Sequence, residues 1–143
     1  MAYAKKHPKQ IASLTLMSSH PGLKTEEEKQ KRLIADQAWA QLLLKVPIDE
    51  FLSRWYDQSI FKTFKPDLAM RKKQNISGLA AALMHYSLAK QPRYEMDAVL
   101  VGEKDEKFRS LYKQPILIPN AGHMVHLENP KAVAEITRQR IGL

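Results

Sequence analysis

Apolar and polar positions change period twice along this chain, and the changes divide it into three stretches. Met1 to His7 sets Ala, Tyr and Lys at helix-compatible spacing and stops at Pro8, which predicts the end of a helix. Ile11 to Met17 alternates and is rich in β-formers, which predicts a short buried strand, and Ser18-Ser19-His20-Pro21-Gly22 has the composition of a loop. From Thr25 the period lengthens. Thr25 with Glu28 three residues on forms a capping box. Leu33, Ala40, Leu43 and Leu44, with Trp39 beside them, then make an apolar stripe. Pro47 breaks the run, and Ile48, Phe51, Leu52, Trp55 and Tyr56 predict a second amphipathic helix. Pro66 to Met84 supplies further helical pattern through Leu68, Met70, Leu79 and Leu83, weakened around Gly78. Residues 24 to 91 therefore read as an all-helical block ended by Gln91-Pro92-Arg93-Tyr94.

After that block the short periods return. Ala98-Val99-Leu100-Val101-Gly102 is an apolar run closed by glycine and predicts a buried strand. Glu103 to Tyr112 reads as a loop and short helix, Ile116-Leu117-Ile118-Pro119 as another strand, and Asn120-Ala121-Gly122-His123 as a loop. Asn129 as N-cap and Pro130 at the first helical position open a last helix with Val133, Ile136 and Ile141 on its apolar side. Strand, helical insertion, strand–loop, strand–loop, helix is the order of the second half of an α/β sheet interrupted by a helical lid. The predicted fold class is thus α/β, with lid 24–91 and core segments 1–23 and 92–143.

Two residues of this pattern carry candidate chemistry. Asp105 stands just past a strand, in Gly102-Glu103-Lys104-Asp105, where open α/β sheets place ligands. Alone it is as readily the cap of the next helix. His123 projects from a small-residue turn past the next strand, and alone a loop histidine is more often incidental. Together they satisfy the second half of the order nucleophile, acid, base in a catalytic triad, where the carboxylate orients the imidazole and the imidazole takes the nucleophile's proton. Strand–Gly-x-x-Asp, then strand–Asn-Ala-Gly-His and an Asn-Pro-initiated helix, resembles the ending of the α/β-hydrolase superfamily. The nucleophile is missing: none of serines 13, 18, 19, 53, 59, 77, 87 and 110 lies in a Gly-x-Ser-x-Gly elbow. Ser18 and Ser19 follow a strand without a glycine turn and read as loop.

Composition narrows the class. With 143 residues, 44% hydrophobic and 27% charged, the chain has the make-up of one globular domain. It has no cysteine, so disulfides and thiolate metal sites are excluded, and no metal or cofactor is expected. No apolar run approaches the ~20 residues of a membrane span, and the first residues lack the apolar core of a secretory signal. A cytoplasmic location is the expectation. The net charge of +8 raises the question of nucleic acid. The densest runs, Lys29 to Arg32 and Arg71 to Lys73, lie in helical segments without the interleaved aromatics of a single-strand binder. They read as solvated helix faces, some of which can meet a small anionic substrate.

The lid carries a narrower resemblance. Ser18-Ser19-His20-Pro21-Gly22-Leu23, Glu27-x-Lys29-x-x-Arg32-x-x-x-Asp36-x-x-Trp39, Phe51-Leu52-x-x-Trp55-Tyr56, Phe61, and Arg71 ahead of Leu79-Ala80-Ala81 and Gln91-Pro92 resemble one family of this superfamily. So does Gly102-Glu103-Lys104-Asp105-x-Lys107-Phe108. That family is 2-succinyl-6-hydroxy-2,4-cyclohexadiene-1-carboxylate synthase of menaquinone biosynthesis, a carbon–oxygen lyase, and the likeness is to its C-terminal portion. The resemblance implies a triad that abstracts a proton and eliminates pyruvate. It implies arginines, Arg32 and Arg71, that clamp a small polycarboxylate substrate, and a pocket lined by Trp55 and Tyr56. Plainer readings stand beside these: Arg32 pairs with Glu28 or Asp36 across one helical turn, and Trp55 is lid core. The chain departs from the family in lacking the elbow and the arginine after it, and in being short between Gln91 and Val101 and between Phe108 and Ile116. A missing N-terminal half is then the expected partner, and the chain alone is expected to be inactive. The alternatives are an esterase-type α/β-hydrolase fragment, or a catalytically dead fragment or binding module.

Overall fold

The computed structural model describes residues 1–96 and 98–142, so Asp97 and Leu143 lie outside the described residues. The chain forms two compact units, one of residues 1–20, 60–64 and 94–142, the other of residues 21–59 and 65–93.

The first unit is built on a parallel sheet in the order β1 (Leu16–Met17), β2 (Val99–Gly102), β3 (Ile116–Ile118). β2 is central and buried on both faces. Because side chains alternate along a strand, Leu100 points into a core with Ile118, Ala121 and Val125, covered by Ala132, Val133 and Ile136. Val99 and Val101 point the other way, into a core with Phe108, Leu16 and Ile60. That double burial is what a continuous apolar run means in a parallel sheet. Helix α1 (Ala2–Lys6) precedes the sheet. Helix α6 (Glu106–Arg109) follows β2, and α7 (Val125–Glu128) and α8 (Pro130–Ile141) follow β3. α8 begins as its sequence predicts. Asn129 Oδ1 accepts from the Ala132 N–H at 3.2 Å while its Nδ2 donates to the Pro119 carbonyl at 2.9 Å, fastening the helix start to the end of β3.

One strand is shorter than its pattern. Of Ile11 to Met17, only Leu16 and Met17 pair, opposite Val99 and Leu100. Among the described residues β2 begins at Val99, and none pairs with the residues before Leu16. β1 is an edge, and Leu14 and Met17 are exposed rather than buried.

The second unit is helical: α2 (Glu26–Lys45), α3 (Ile48–Tyr56), α4 (Leu68–Lys72) and α5 (Ile76–His85). The capping box is formed, with Thr25 Oγ1 accepting from the Glu28 N–H at 3.1 Å and Glu28 Oε2 accepting from the N–H groups of Lys24 and Thr25. These two backbone donors, Lys24 first, hold the exposed Glu28 carboxyl below its ordinary pKa. α2 packs on α5, and Ala40, Leu43, Phe51, Leu52 and Ala80 form the core. Leu44 of the predicted stripe is 61% exposed, whereas Ala40 and Leu43 beside it are buried. The break in the Pro66–Met84 pattern falls before Gly78, where Asn75 caps α5 by accepting from the Gly78 N–H at 2.8 Å. No helix among the described residues is long and apolar enough to cross a membrane.

Candidate active site

Asp105 and His123 meet in the sheet unit. Asp105 Oδ2 lies 2.8 Å from His123 Nδ1, and the carboxylate is almost fully buried. The other oxygen, Oδ1, accepts from the Phe108 N–H at 3.2 Å and so caps α6. Phe108 then packs its ring against the His123 imidazole, centroids 4.4 Å apart, and meets the His20 ring edge-on at 6.0 Å. With Nδ1 donating to a carboxylate, the neutral imidazole presents Nε2 as a proton acceptor, the tautomer a general base requires.

The loops that carry the pair are laced together. Lys104 N–H donates to the Ala121 carbonyl at 2.9 Å, and Glu103 N–H to the Ile118 carbonyl at 3.0 Å. Asn120 N–H donates to Glu103 Oε2 at 3.0 Å. Gly102 is required by this approach: a Cβ there would stand 1.9 Å from the Gly122 carbonyl oxygen. Asn120 takes a positive φ of 59°, which its short polar side chain tolerates. On the neighbouring strand end, Ser18 has φ 42° and a buried Oγ with no hydrogen-bond partner among the described residues. No glycine elbow surrounds it.

Arg32, Arg71, Trp55 and Tyr56 come together in the helical unit, lining a cavity of about 370 Å³ whose remaining walls include Leu43, Phe51, Leu83 and Ser87. Arg32 does pair with Asp36, its Nε 2.8 and 2.9 Å from the two carboxylate oxygens. Glu28 is engaged in the capping box instead. The Asp36 side chain is 6% exposed and that of Arg32 is 44% exposed. Among the described residues the Arg71 guanidinium has no hydrogen-bond or ion-pair partner, and the Arg32 Nη groups make no further bond. The cavity therefore carries one neutralised and one uncompensated cation, which favours an anionic guest. Trp55 stacks on Phe51 (5.7 Å, 20°) and meets Trp39 edge-on (5.1 Å, 81°), so it belongs to the lid core and to the cavity wall at once. Two residues that shape these places, Asp36 and Glu128, are not singled out by the sequence as site residues. Asp36 is traceable as the i+4 partner of Arg32 and as a member of the lid motif around it. Glu128 has no sequence signal beyond preceding Asn129-Pro130.

No protein-family model matches the chain. Among curated proteins it is 34% identical over 162 aligned positions to the 2-succinyl-6-hydroxy-2,4-cyclohexadiene-1-carboxylate synthase of Enterobacter sp. (strain 638), covering 100% of this chain and 62% of that protein. The enzyme of the same name from Escherichia fergusonii is 34% identical over 140 positions, covering 86% and 56%. The solved structure of MenH from S. aureus superposes with a TM-score of 0.78 at 24% identity, over 93% of this chain and 60% of that one. The chain resembles the C-terminal portion of this synthase family. Its fold is the C-terminal half of an α/β-hydrolase with a helical lid inserted between strands. The chain spans about three-fifths of the length of these relatives. The Enterobacter alignment occupies 162 positions against 143 residues here, so gaps open in this chain and some of that relative's residues have no counterpart in it.

Proposed function

We propose that this chain supplies the acid–base pair and the carboxylate-binding lid of a 2-succinyl-6-hydroxy-2,4-cyclohexadiene-1-carboxylate synthase of menaquinone biosynthesis. The observation that carries the reading is the 2.8 Å contact between His123 Nδ1 and the buried Asp105 carboxylate. His123 Nε2 takes the proton of a serine hydroxyl, and the resulting alkoxide removes a proton from the substrate. The electron pair left on carbon breaks the C–O bond to the enolpyruvyl group, which leaves as pyruvate enolate and takes the proton that the His123 imidazolium, held by Asp105, has carried meanwhile. Arg71 and the Nη groups of Arg32 grip substrate carboxylates, a task suited to the planar fork of guanidinium. Trp55 and Tyr56 face its ring. The serine belongs to an elbow this sequence does not contain, so the chain alone binds without turning over.

The test supplies the elbow. The full chain is mixed or fused with the N-terminal portion of the Enterobacter relative, and pyruvate release from the enolpyruvyl precursor is followed. Release that appears on joining and vanishes in His123→Ala supports the reading; release that survives His123→Ala overturns it. A joined protein that hydrolyses simple esters and releases no pyruvate decides for the esterase-type alternative.

A further inference from the structure

We infer that Glu128 is a positioning residue for His123, holding the backbone on both flanks of the imidazole-bearing residue. The inference rests on reading Asp105 and His123 as an acid–base pair. Glu128 Oε2 accepts from the Gly122 N–H at 2.6 Å, and Oε1 accepts from the Met124 N–H at 3.2 Å. One carboxylate thus takes the amide protons immediately before and immediately after His123. A third donor, the Thr63 hydroxyl, meets Oε2 at 2.9 Å.

The local chain explains why a side chain is needed there. Met124 is the N-cap of α7 and its own side chain caps nothing, while its carbonyl accepts from the Leu127 and Glu128 N–H groups. The helix start therefore has donors without intrahelical acceptors, and Glu128, at the far end of this four-residue helix, folds back to accept from that of Met124. On the opposite side the loop is fixed by Lys104 through Ala121 and by Asp105 itself. A Cβ at Gly122 would meet Thr63 Oγ1 at 2.0 Å and Glu128 Oε2 at 3.3 Å, so glycine is what lets the carboxylate come in this close. Charge-assisted bonds to a carboxylate are roughly twice as strong as neutral ones. An isosteric glutamine keeps one acceptor oxygen and turns an NH2 group toward a backbone N–H, so it cannot hold both flanks.

The experiment is NMR on the 15N-labelled full chain, reading the far-downfield ring N–H resonance of His123 bonded to Asp105, assigned by its disappearance in His123→Ala. Glu128→Gln is expected to lose that resonance while the amide spectrum stays dispersed. Thr63→Val, which removes the third donor and neither flank, is expected to retain it. A Glu128→Gln chain with the resonance unmoved overturns the inference. Should that variant fail to fold, amide exchange in the unsubstituted chain decides. Protection of Gly122 and Met124 supports the inference, and open-chain exchange at either overturns it. A chain that shows no downfield resonance even unsubstituted removes the acid–base pair, and the inference with it. A resonance that behaves as expected beside a joined enzyme that releases no pyruvate removes only the proposed reaction.

Discussion

Replacing Gly102 with alanine tests whether the approach of two loops, and not a turn, is what this glycine serves. Gly102 has no left-handed φ, so alanine suits its own backbone. The new Cβ, however, would lie 1.9 Å from the Gly122 carbonyl oxygen, 2.4 Å from that of Ala121 and 2.7 Å from the Ala121 carbonyl carbon. All three neighbours are backbone, so no side chain can swing away. Relief requires the His123 loop to move off β2, which breaks the Lys104–Ala121 bond and, with it, the bond between Glu103 and Ile118. Two lost hydrogen bonds at ~1 kcal/mol each, with ~1–3 kcal/mol for overpacking, give about 3–5 kcal/mol. The smaller entropy of an alanine in the unfolded chain offsets about 0.4–1 kcal/mol of that. At a urea m-value of ~2 kcal/mol/M, the unfolding midpoint falls by about 1–2 M. Gly78→Ala is the matched control, because its Cβ meets only the Asn75 side chain at 3.4 Å in helix α5; it is expected to stabilise by up to about 1 kcal/mol. The second readout is the His123–Asp105 ring resonance, which Gly102→Ala is expected to abolish. A Gly102→Ala chain as stable as the parent, with that resonance in place, refutes the reasoning.

Arg32→Ala strands a nearly fully buried carboxylate and is expected to cost about 3 kcal/mol, the low end for a broken buried pair because water reaches the arginine side. Asp36→Ala releases an arginine already 44% exposed and is expected to cost about 1 kcal/mol. Urea unfolding of both variants checks the order, and a costlier Asp36→Ala contradicts it. For Glu28, whose carboxyl is held low by the Lys24 and Thr25 N–H groups, the sign follows from the folded state favouring the ionised form. Its contribution is present above the ordinary carboxylate pKa and is lost as pH falls through the lowered folded value. Circular dichroism against pH should show α2 fraying in acid, and Glu28→Gln should flatten that limb; an unaltered acid limb in the variant rules the capping explanation out.

The parts of the fold legible in the sequence are those that one segment decides by itself. β2 and β3 are short apolar runs with turn chemistry after them, and both pair where the pattern places them. The Thr25 capping box and the Asn129-Pro130 helix start are equally local. What the sequence overstates is what a partner decides. Ile11 to Thr15 alternate like a strand, yet among the described residues nothing pairs with them. Leu44 continues an apolar stripe, yet it stays 61% exposed. The candidate site divides the same way. Asp105 and His123 are visible as residues after strands, and Arg32, Arg71, Trp55 and Tyr56 through a family likeness. The Gly102 contact and the Glu128 clasp arise from loops far apart in sequence or from a helix folding back, and periodicity carries no trace of either.

Asp105 shows why the plain and the catalytic reading of one residue are not rivals. A carboxylate has two oxygens, and here Oδ1 caps α6 while Oδ2 meets the imidazole. The cap fixes the rotamer that aims the second oxygen at the imidazole, so a helix cap and the proposed acid–base role are compatible in one residue. Asp105→Asn separates them. The amide keeps one acceptor oxygen for the Phe108 N–H, so the fold should remain, with a loss of no more than about 1 kcal/mol in urea unfolding. Its NH2 group then faces Nδ1 and can only donate to it, which places the imidazole proton on Nε2, the nitrogen that must accept. In the enzyme completed with an upstream serine elbow, pyruvate release should fall by on the order of 10⁴, the scale of that tautomer error in a serine triad. The His123 ring N–H should lose its downfield position at the same time. A variant that unfolds with the parent and keeps its activity would mean that Oδ2 is incidental and that Asp105 is a helix cap after all.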